Sequence, residues 1–258
     1  MAPRSHHGWP HGRIRRLLVV ALGLLAGLPL SAQVTVSASG QATASIPIPV
    51  PPGIAGMAPN LYLQYTDGGI NGHLGVGWSL QGISMITRCP ASRPVDGKAA
   101  AVEFKPTDKL CLDGQRLIPV DASGNATTLA NGDANGIGTS DSINPSSYQE
   151  YRTEKDTFAR IRAYGATGGV ASNGPAAFRV WTKAGQVFEY GTNFDGNANA
   201  RIHPFNSTST PPASRSQAAV WAVSRVSDVK GNYVNFKYIS VTPNWGSGTS
   251  AEIGRAHV

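Results

Sequence analysis

Leu110-Cys-Leu-Asp-Gly-Gln-Arg-Leu-Ile-Pro-Val120 is the stretch from which the fold class follows. Two short runs rich in apolar residues flank Asp113-Gly114. An Asp-Gly pair supplies the positive φ angles that a two-residue turn between antiparallel strands demands, so these residues predict a β-hairpin. Residues 178–190 repeat the arrangement around Ala184-Gly185, and residues 219–225 and 233–238 flank a turn at Lys230-Gly-Asn232. Residues 60–65 alternate, with Leu61, Leu63 and Tyr65 on one face. Residues 76–80 and 83–88 read as strands joined around Gln81-Gly82, and residues 148–154 and 158–164 as two more. The alternation places Trp181 and Trp221 in the core. Residues 45–53 interleave apolar residues with prolines, which cannot donate to a ladder. They predict an edge strand or an extended segment, with a turn at Pro52-Gly53. Beyond the first 32 residues no stretch carries a helical period. The expected fold is all-β: short antiparallel strands and hairpins forming a sandwich, a barrel or a fragment of a shell.

The composition agrees. The 258 residues include 30 Gly and 18 Pro, and only 14% are charged. Glycine and proline in that proportion favour strands joined by tight turns over helices. The formal charge of +7 is less informative than it looks, because Arg4, Arg13, Arg15 and Arg16 lie in the first 16 residues with no acid near them. From Gln33 onward 18 Lys plus Arg face 15 Asp plus Glu. That balance is an ordinary solvated surface. No basic stripe with interleaved aromatics occurs, so a nucleic-acid partner is not expected.

The amino terminus accounts for the remaining charge. Arg13-Ile-Arg-Arg16 runs into an apolar stretch over residues 17–28, followed by the small residues Ser31 and Ala32. Basic, apolar, small is the order of a secretory signal peptide, and the apolar run is short for a membrane span. Residues 1–32 are therefore expected to be removed after Ala32, with the mature part starting at Gln33. Leu30 departs from the small residue preferred near such a cut, and an uncleaved anchor is the other reading. Export past the inner membrane implies a secreted, extracellular product whose only tie to the membrane is this segment. It also permits disulfides. Cys89 and Cys111 are the only cysteines; they form either a bridge or two buried thiols.

The last residues, Glu252-Ile-Gly-Arg-Ala-His-Val258, are what GAG ATC GGA AGA GCA CAC GTC encodes. That string runs through a common sequencing adapter, and the next adapter triplet is a stop. Residues 252–258 are thus expected to be an artefact of assembly, and residues 33–251 a truncated β domain.

Candidate chemistry is sparse. Gly72, Gly75 and Gly77 crowd around Trp78 but lack the Gly-Lys-Ser/Thr ending of a phosphate loop and the spacing of a dinucleotide fingerprint. They read as positions where the backbone turns and closes on Trp78, a large apolar anchor. Residues 195–199 and 133–141 carry oxygen ligands at alternate positions, but too few for a calcium site. No Gly-x-Ser-x-Gly elbow is present, and His73, His203 and His257 have no acid or nucleophile at motif spacing. His6, His7 and His11 fall in the segment expected to be discarded. Glu150 and Glu154 share a strand face by parity, which is usually a solvated arrangement. No catalytic, cofactor-binding or metal-binding residues are assigned, no cofactor is expected, and no small-molecule substrate is implied.

Several separated motifs resemble one family. They are Ile48-Pro-Val-Pro-Pro-Gly53, Gly56-Met-Ala-Pro-Asn-Leu61, Leu74-Gly-Val-Gly-Trp-Ser-Leu80, Ile86-Thr-Arg-Cys89, Asp108-Lys-Leu-Cys-Leu-Asp-Gly-Gln-Arg-Leu117, Glu150-Tyr-Arg-Thr-Glu154 and Thr182-Lys-Ala-Gly-Gln-Val-Phe-Glu-Tyr-Gly191. In this order they are similar to the amino-terminal domain shared by the Salmonella virulence plasmid B protein and the B components of insecticidal toxin complexes. Residues 228–238 are also similar to the Tyr-Asp repeats of Rhs proteins. The resemblance implies a non-catalytic virulence module that helps form or close a β shell around a toxic carboxy-terminal polypeptide. Its implied partners are downstream shell or propeller segments of the same chain and toxin-complex subunits. The plasmid protein's ADP-ribosyltransferase activity belongs to a separate domain that nothing here resembles. A stand-alone carbohydrate- or surface-binding domain, with Trp181, Trp221 and Trp245 as platforms, is the alternative.

Overall fold

The computed structural model describes residues 33–36, 38, 40–72, 74–121, 123–126, 148–192, 200–206, 213–241, 244–245, 249–250 and 253–257. The expected signal segment and the two candidate calcium stretches lie outside the described residues. The chain divides into two compact units: residues 1–49 with 60–81, and residues 50–59 with 82–258.

The smaller unit is a sheet. Its strands are β1 (Gln33–Val36), β2 (Ala42–Pro47), β3 (Tyr62–Thr66), β4 (Asn71–Gly72), β5 (Gly75–Val76) and β6 (Trp78–Gln81). The order β1-β2-β3-β6 is antiparallel throughout, and β4 and β5 form a small separate hairpin. Of the edge-strand and extended readings of residues 45–53, the first does not hold for residues 45–47, which end β2 inside the sheet with β1 at the edge, and residues 48–53 belong to no strand. Pro47 is the last residue of β2, and the ladder continues past it through the Ile48 N–H to the Leu61 carbonyl at 2.8 Å.

The larger unit is built on β7 (Met85–Cys89), β8 (Lys109–Leu112), β9 (Gln115–Val120), β10 (Tyr148–Thr153), β11 (Arg160–Tyr164), β12 (Ala177–Trp181) and β13 (Val187–Tyr190). Short strands β14 (Arg201–Ile202), β15 (Phe205–Asn206) and β16 (Ala213–Ser214) precede β17 (Val220–Ser227) and β18 (Tyr233–Asn235). Then come β19 (Lys237–Val241), β20 (Asn244–Trp245), β21 (Thr249–Ser250) and β22 (Ile253–His257), of which β19 pairs with β22 and β20 with β21.

Strands β7 to β13 pair in sequence order, and β17 joins both ends. Val220–Ala222 of β17 lie against β7, and residues 223–227 lie against β13. Of the sandwich, barrel and shell readings, this is a closed eight-stranded antiparallel barrel. Closure leaves no unpaired edge in the ring. Eight strands enclose an interior just wide enough for side chains to fill, and Ile86, Leu110, Tyr151, Ile161, Phe178 and Val223 fill it at 2% exposure or less. The register slips between Glu189 and Tyr190. There Ser224, fully buried, donates its hydroxyl to the Glu189 carbonyl at 3.1 Å, so the bulge keeps its polar atom satisfied.

Trp221 is wholly buried, with its indole N–H on the Pro175 carbonyl at 2.8 Å and its ring edge-on to Phe178 at 5.3 Å. Trp181 is not in the core. Phe178 and Val180 take the inward positions of β12, so parity turns Arg179 and Trp181 outward.

Candidate functional site

The residues singled out from the sequence do not converge on one place. Asp113 and Gly114, at φ 48° and 81°, form the two-residue turn between β8 and β9. Asp113 does more than turn the chain. Its carboxylate accepts the Ser84 hydroxyl at 2.6 Å and the Met85 N–H at 2.8 Å, fastening the start of β7 to the hairpin. The Ser84 hydroxyl also meets the Tyr190 hydroxyl at 2.8 Å. Burial pushes the Tyr190 phenol well above its ordinary value.

Gly77, at φ +77°, lies where a Cβ would stand 2.6 Å from the Thr66 carbonyl. Its own carbonyl accepts the Thr66 N–H at 2.9 Å. Gly72 pairs with Gly75 across the β4–β5 hairpin. Trp78 is half-buried, tilted against Tyr65 at a centroid distance of 5.4 Å. Pro52 is exposed. Gly53 precedes a 3-10 turn over Ile54–Gly56, and a Cβ there would overlap the Met57 carbonyl.

Cys89 and Cys111 are bonded to each other, with Cα atoms 5.9 Å apart, across the β7–β8 pair. Cys89 lines a cleft of about 480 Å³ together with Asp96, Lys109, Arg116, Ile118 and Tyr151 among others. The cleft marks a seam in the barrel wall. Strands β8 and β9 pair only at Cys111–Arg116 and Leu112–Gln115 before they part.

Besides Lys109 to Asp96 at 3.7 Å, two ion pairs stand at the seam. Arg116 is bonded to Asp96, which ends a single helical turn over Arg93–Asp96, and also donates to the Pro90 carbonyl at 3.2 Å. Burial pushes the Asp96 carboxyl up. The Ser92 N–H and Arg116 outweigh that and hold it below its ordinary value. Inside, Arg88 pairs with Asp108 at 3.2 Å and donates to the carbonyls of Ala218, Lys105 and Asn173. Burial lowers the Arg88 guanidinium's pKa, and Asp108 works against that. Sequence reading missed this quartet. Its signal was parity: Arg88 shares the inward face of β7 with Ile86.

The outer wall carries a second polar array. Glu150, Arg162, Arg179, Glu189 and Arg225 are successive cross-strand partners over β10, β11, β12, β13 and β17. Glu150 takes Arg162 and Arg152 at 3.1 Å and Arg160 at 3.5 Å, and Arg179 reaches Glu189 at 2.9 Å. The guanidiniums of Arg160, Arg162 and Arg179 stand 5.5–5.7 Å from the Trp181 ring centre. Glu150 is thus an ion-pair hub, and Glu154 is exposed beyond the end of β10. His203 holds its Nδ1 at 3.1 Å from the Arg215 carbonyl. Among the described residues no group of three or more His, Cys, Asp or Glu converges to hold a metal, and no helix is long and apolar enough to cross a membrane. The outer array ties strands to one another, and the seam pairs tie β7 and β9 to the segments carrying Asp108 and Asp96, which lie outside the strands.

Comparison with known proteins gives a consistent result. The family profile described as SpvB, Salmonella virulence plasmid 65kDa B protein, matches residues 36–249. The crystal structure of TcdB2-TccC3 is similar with a TM-score of 0.57 and 20% identity, covering 87% of this chain and 10% of that one. The Photorhabdus luminescens Tc holotoxin pore is similar at 0.53 and 19%, covering 84% and 9%. The N-terminal domain of effector protein SpvB from Salmonella typhimurium strain LT2 is similar at 0.50 and 20%, covering 78% and 57%. No curated protein matches the chain in sequence. The chain spans about a tenth of the toxin-complex chains and just over half of the effector-domain chain.

Proposed function

Because the chain belongs to the family of the Salmonella virulence plasmid 65kDa B protein, we propose that this toxin-complex-related module acts as a non-catalytic building element, forming or closing a β shell around a toxic carboxy-terminal polypeptide. The observation that carries the reading is where the ionisable side chains go. Arg88, Asp108, Asp96 and Arg116 stand at the barrel seam, and Glu150 with Arg162 and Arg179 with Glu189 each link two adjacent strands. Each cross-strand charge pair contributes about 0.2–1 kcal/mol to the sheet. Groups so engaged hold a wall together and are not free to move protons.

Its partners are downstream segments of a longer polypeptide and toxin-complex subunits, and it reaches them outside the inner membrane after the signal segment is removed. Expression of the full natural reading frame tests this. Limited proteolysis should leave the carboxy-terminal polypeptide protected, and deletion of residues 33–251 should expose it. Equal cleavage of both would refute the shell. The carbohydrate-binding alternative is weaker on the same grounds: three guanidiniums crowd Trp181 and Trp221 is buried.

A further inference from the structure

The small sheet has two chemically opposite faces. Residues directly opposite each other in an antiparallel pair point to the same side, and residues two apart on one strand do likewise. The rows Ala44–Tyr65–Trp78 and Ile46–Leu63–Leu80 therefore share a face, together with Val34 and Val36 of β1. Every side chain on that face is apolar or aromatic. The other face carries Thr35–Thr43–Thr66, Ser45–Gln64–Ser79 and Pro47–Tyr62–Gln81, with hydroxyl and amide bonds of its own between Thr35 and Thr43 and between Gln81 and Ser79. The apolar face is exposed at its two edge strands, with Val36 at 70%, Val34 at 68% and Leu80 at 40%, and half-buried at Ala44, Ile46, Leu63, Tyr65 and Trp78 between them.

Two further facts bear on what covers it. Asp67 is the only Asp, Glu, Lys or Arg between Gln33 and Gln81. Free sheet edges are normally protected by charge, most often lysine. Neither β1 nor β6, the two edges, carries any. A one-sided apolar sheet must lie against a second layer. The matched chains are also far longer than this one, which covers 10% of one and 57% of another.

We propose that this face is a docking surface for an uncharged, apolar β layer carried by the same polypeptide beyond residue 251. The occupant has to match the face: strands that alternate, with aliphatic and aromatic residues on the side they present and no charge there. This rests on the proposed function and names the surface through which the module joins the rest of the shell.

A photo-crosslinking residue placed at Val36 or Leu80, and as a control at Thr35, tests it in the polypeptide expressed from the full natural reading frame. From Val36 and Leu80 the adducts should map to an apolar strand beyond residue 251, with at least a several-fold lower yield from Thr35. Adducts confined to residues 82–251, adducts to a second chain, equal yields from Thr35, or a reading frame that truly stops after Val258 would overturn the proposal. Adducts confined to residues 82–251 with the toxic polypeptide still protected from protease would sink this surface alone. Correct adducts with no such protection would sink the shell and leave the surface standing. In the 258-residue chain, the Val34→Lys/Val36→Lys variant should lower the binding of a hydrophobic dye and the light scattering several-fold. Protection of the barrel amide of Val223 against hydrogen exchange should not change. Thr35→Lys should change neither, and dye binding unaltered by the double variant would also overturn the proposal.

Discussion

The barrel and the small sheet are made from the same material, short alternating strands with glycine at the turns, yet one is finished and the other is not. In the barrel the alternation resolves into an inside and an outside. Apolar residues fill the interior, and charged residues such as Glu150 and Arg162 pair on the wall. In the sheet of β1, β2, β3 and β6 the same alternation yields an apolar face exposed at Val34, Val36 and Leu80 and a polar face without charge. Closure is the difference. A ring of eight strands buries its own apolar side, whereas four strands in an open sheet need another layer.

The largest test of that contrast is truncation at matched positions. Trp221→Ala removes a wholly buried indole together with its hydrogen bond to Pro175. It should cost the barrel about 3–5 kcal/mol. Val36→Ala, at 70% exposure, should fall within about 0.5 kcal/mol of the parent. Urea unfolding followed by far-ultraviolet circular dichroism measures both. A loss of similar size at Val36 would mean that the sheet is already covered within this chain.

The cross-link between β7 and β8 comes next. Cys89 and Cys111 are separated by 22 residues. A loop of that size is worth about 3 kcal/mol in the chain-entropy account. The double variant Cys89→Ser/Cys111→Ser should lower barrel stability by about that amount, and reducing agent should do the same to the parent and nothing to the variant. The protection of small-sheet amides against hydrogen exchange should be indifferent to either treatment.

Gly77→Ala runs the contrast the other way. It sets a methyl against the Thr66 carbonyl at a φ of +77°. The strain should cost the small sheet about 1–3 kcal/mol. Hydrogen exchange should show faster exchange at the Thr66 amide, which bonds the Gly77 carbonyl, with barrel amides such as Val223 unchanged. Slowed or unaltered exchange at Thr66 would contradict the packing described.

What the sequence disclosed follows the same division between local and distant. The Asp113-Gly114 turn was legible because its geometry is written in two adjacent residues, and β10 and β11 because alternation is local. That β17 would join β7 to β13 was not. Val220 and Thr87 meet across more than half the chain, and no short-range pattern announces such a pairing. Trp181 was misplaced for a related reason. A tryptophan at the end of an apolar strand reads as core until the register shows Phe178 and Val180 already holding the inward positions. The one-turn helix at Arg93–Asp96 is too short for a periodicity to reveal.

The smallest expected effect concerns pH, and it separates the barrel seam from the sheet. Asp96 is held below the ordinary carboxylate value because the Ser92 N–H and Arg116 outweigh the effect of burial. A depressed carboxylate contributes stability that is fully present above its unfolded value, near pH 4, and is lost as pH falls through the lower folded value. The parent barrel should therefore lose stability as pH drops below about 4. Asp96→Asn should be less stable than the parent at pH 7 and should approach it in acid, because the variant has no proton to take up there. Asp67 is the only Asp or Glu between Gln33 and Gln81, so protection of the sheet's amides should vary far less than that of the barrel between about pH 5 and pH 3. A variant whose deficit persists unchanged in acid would show that Asp96 acts through packing and not through its charge.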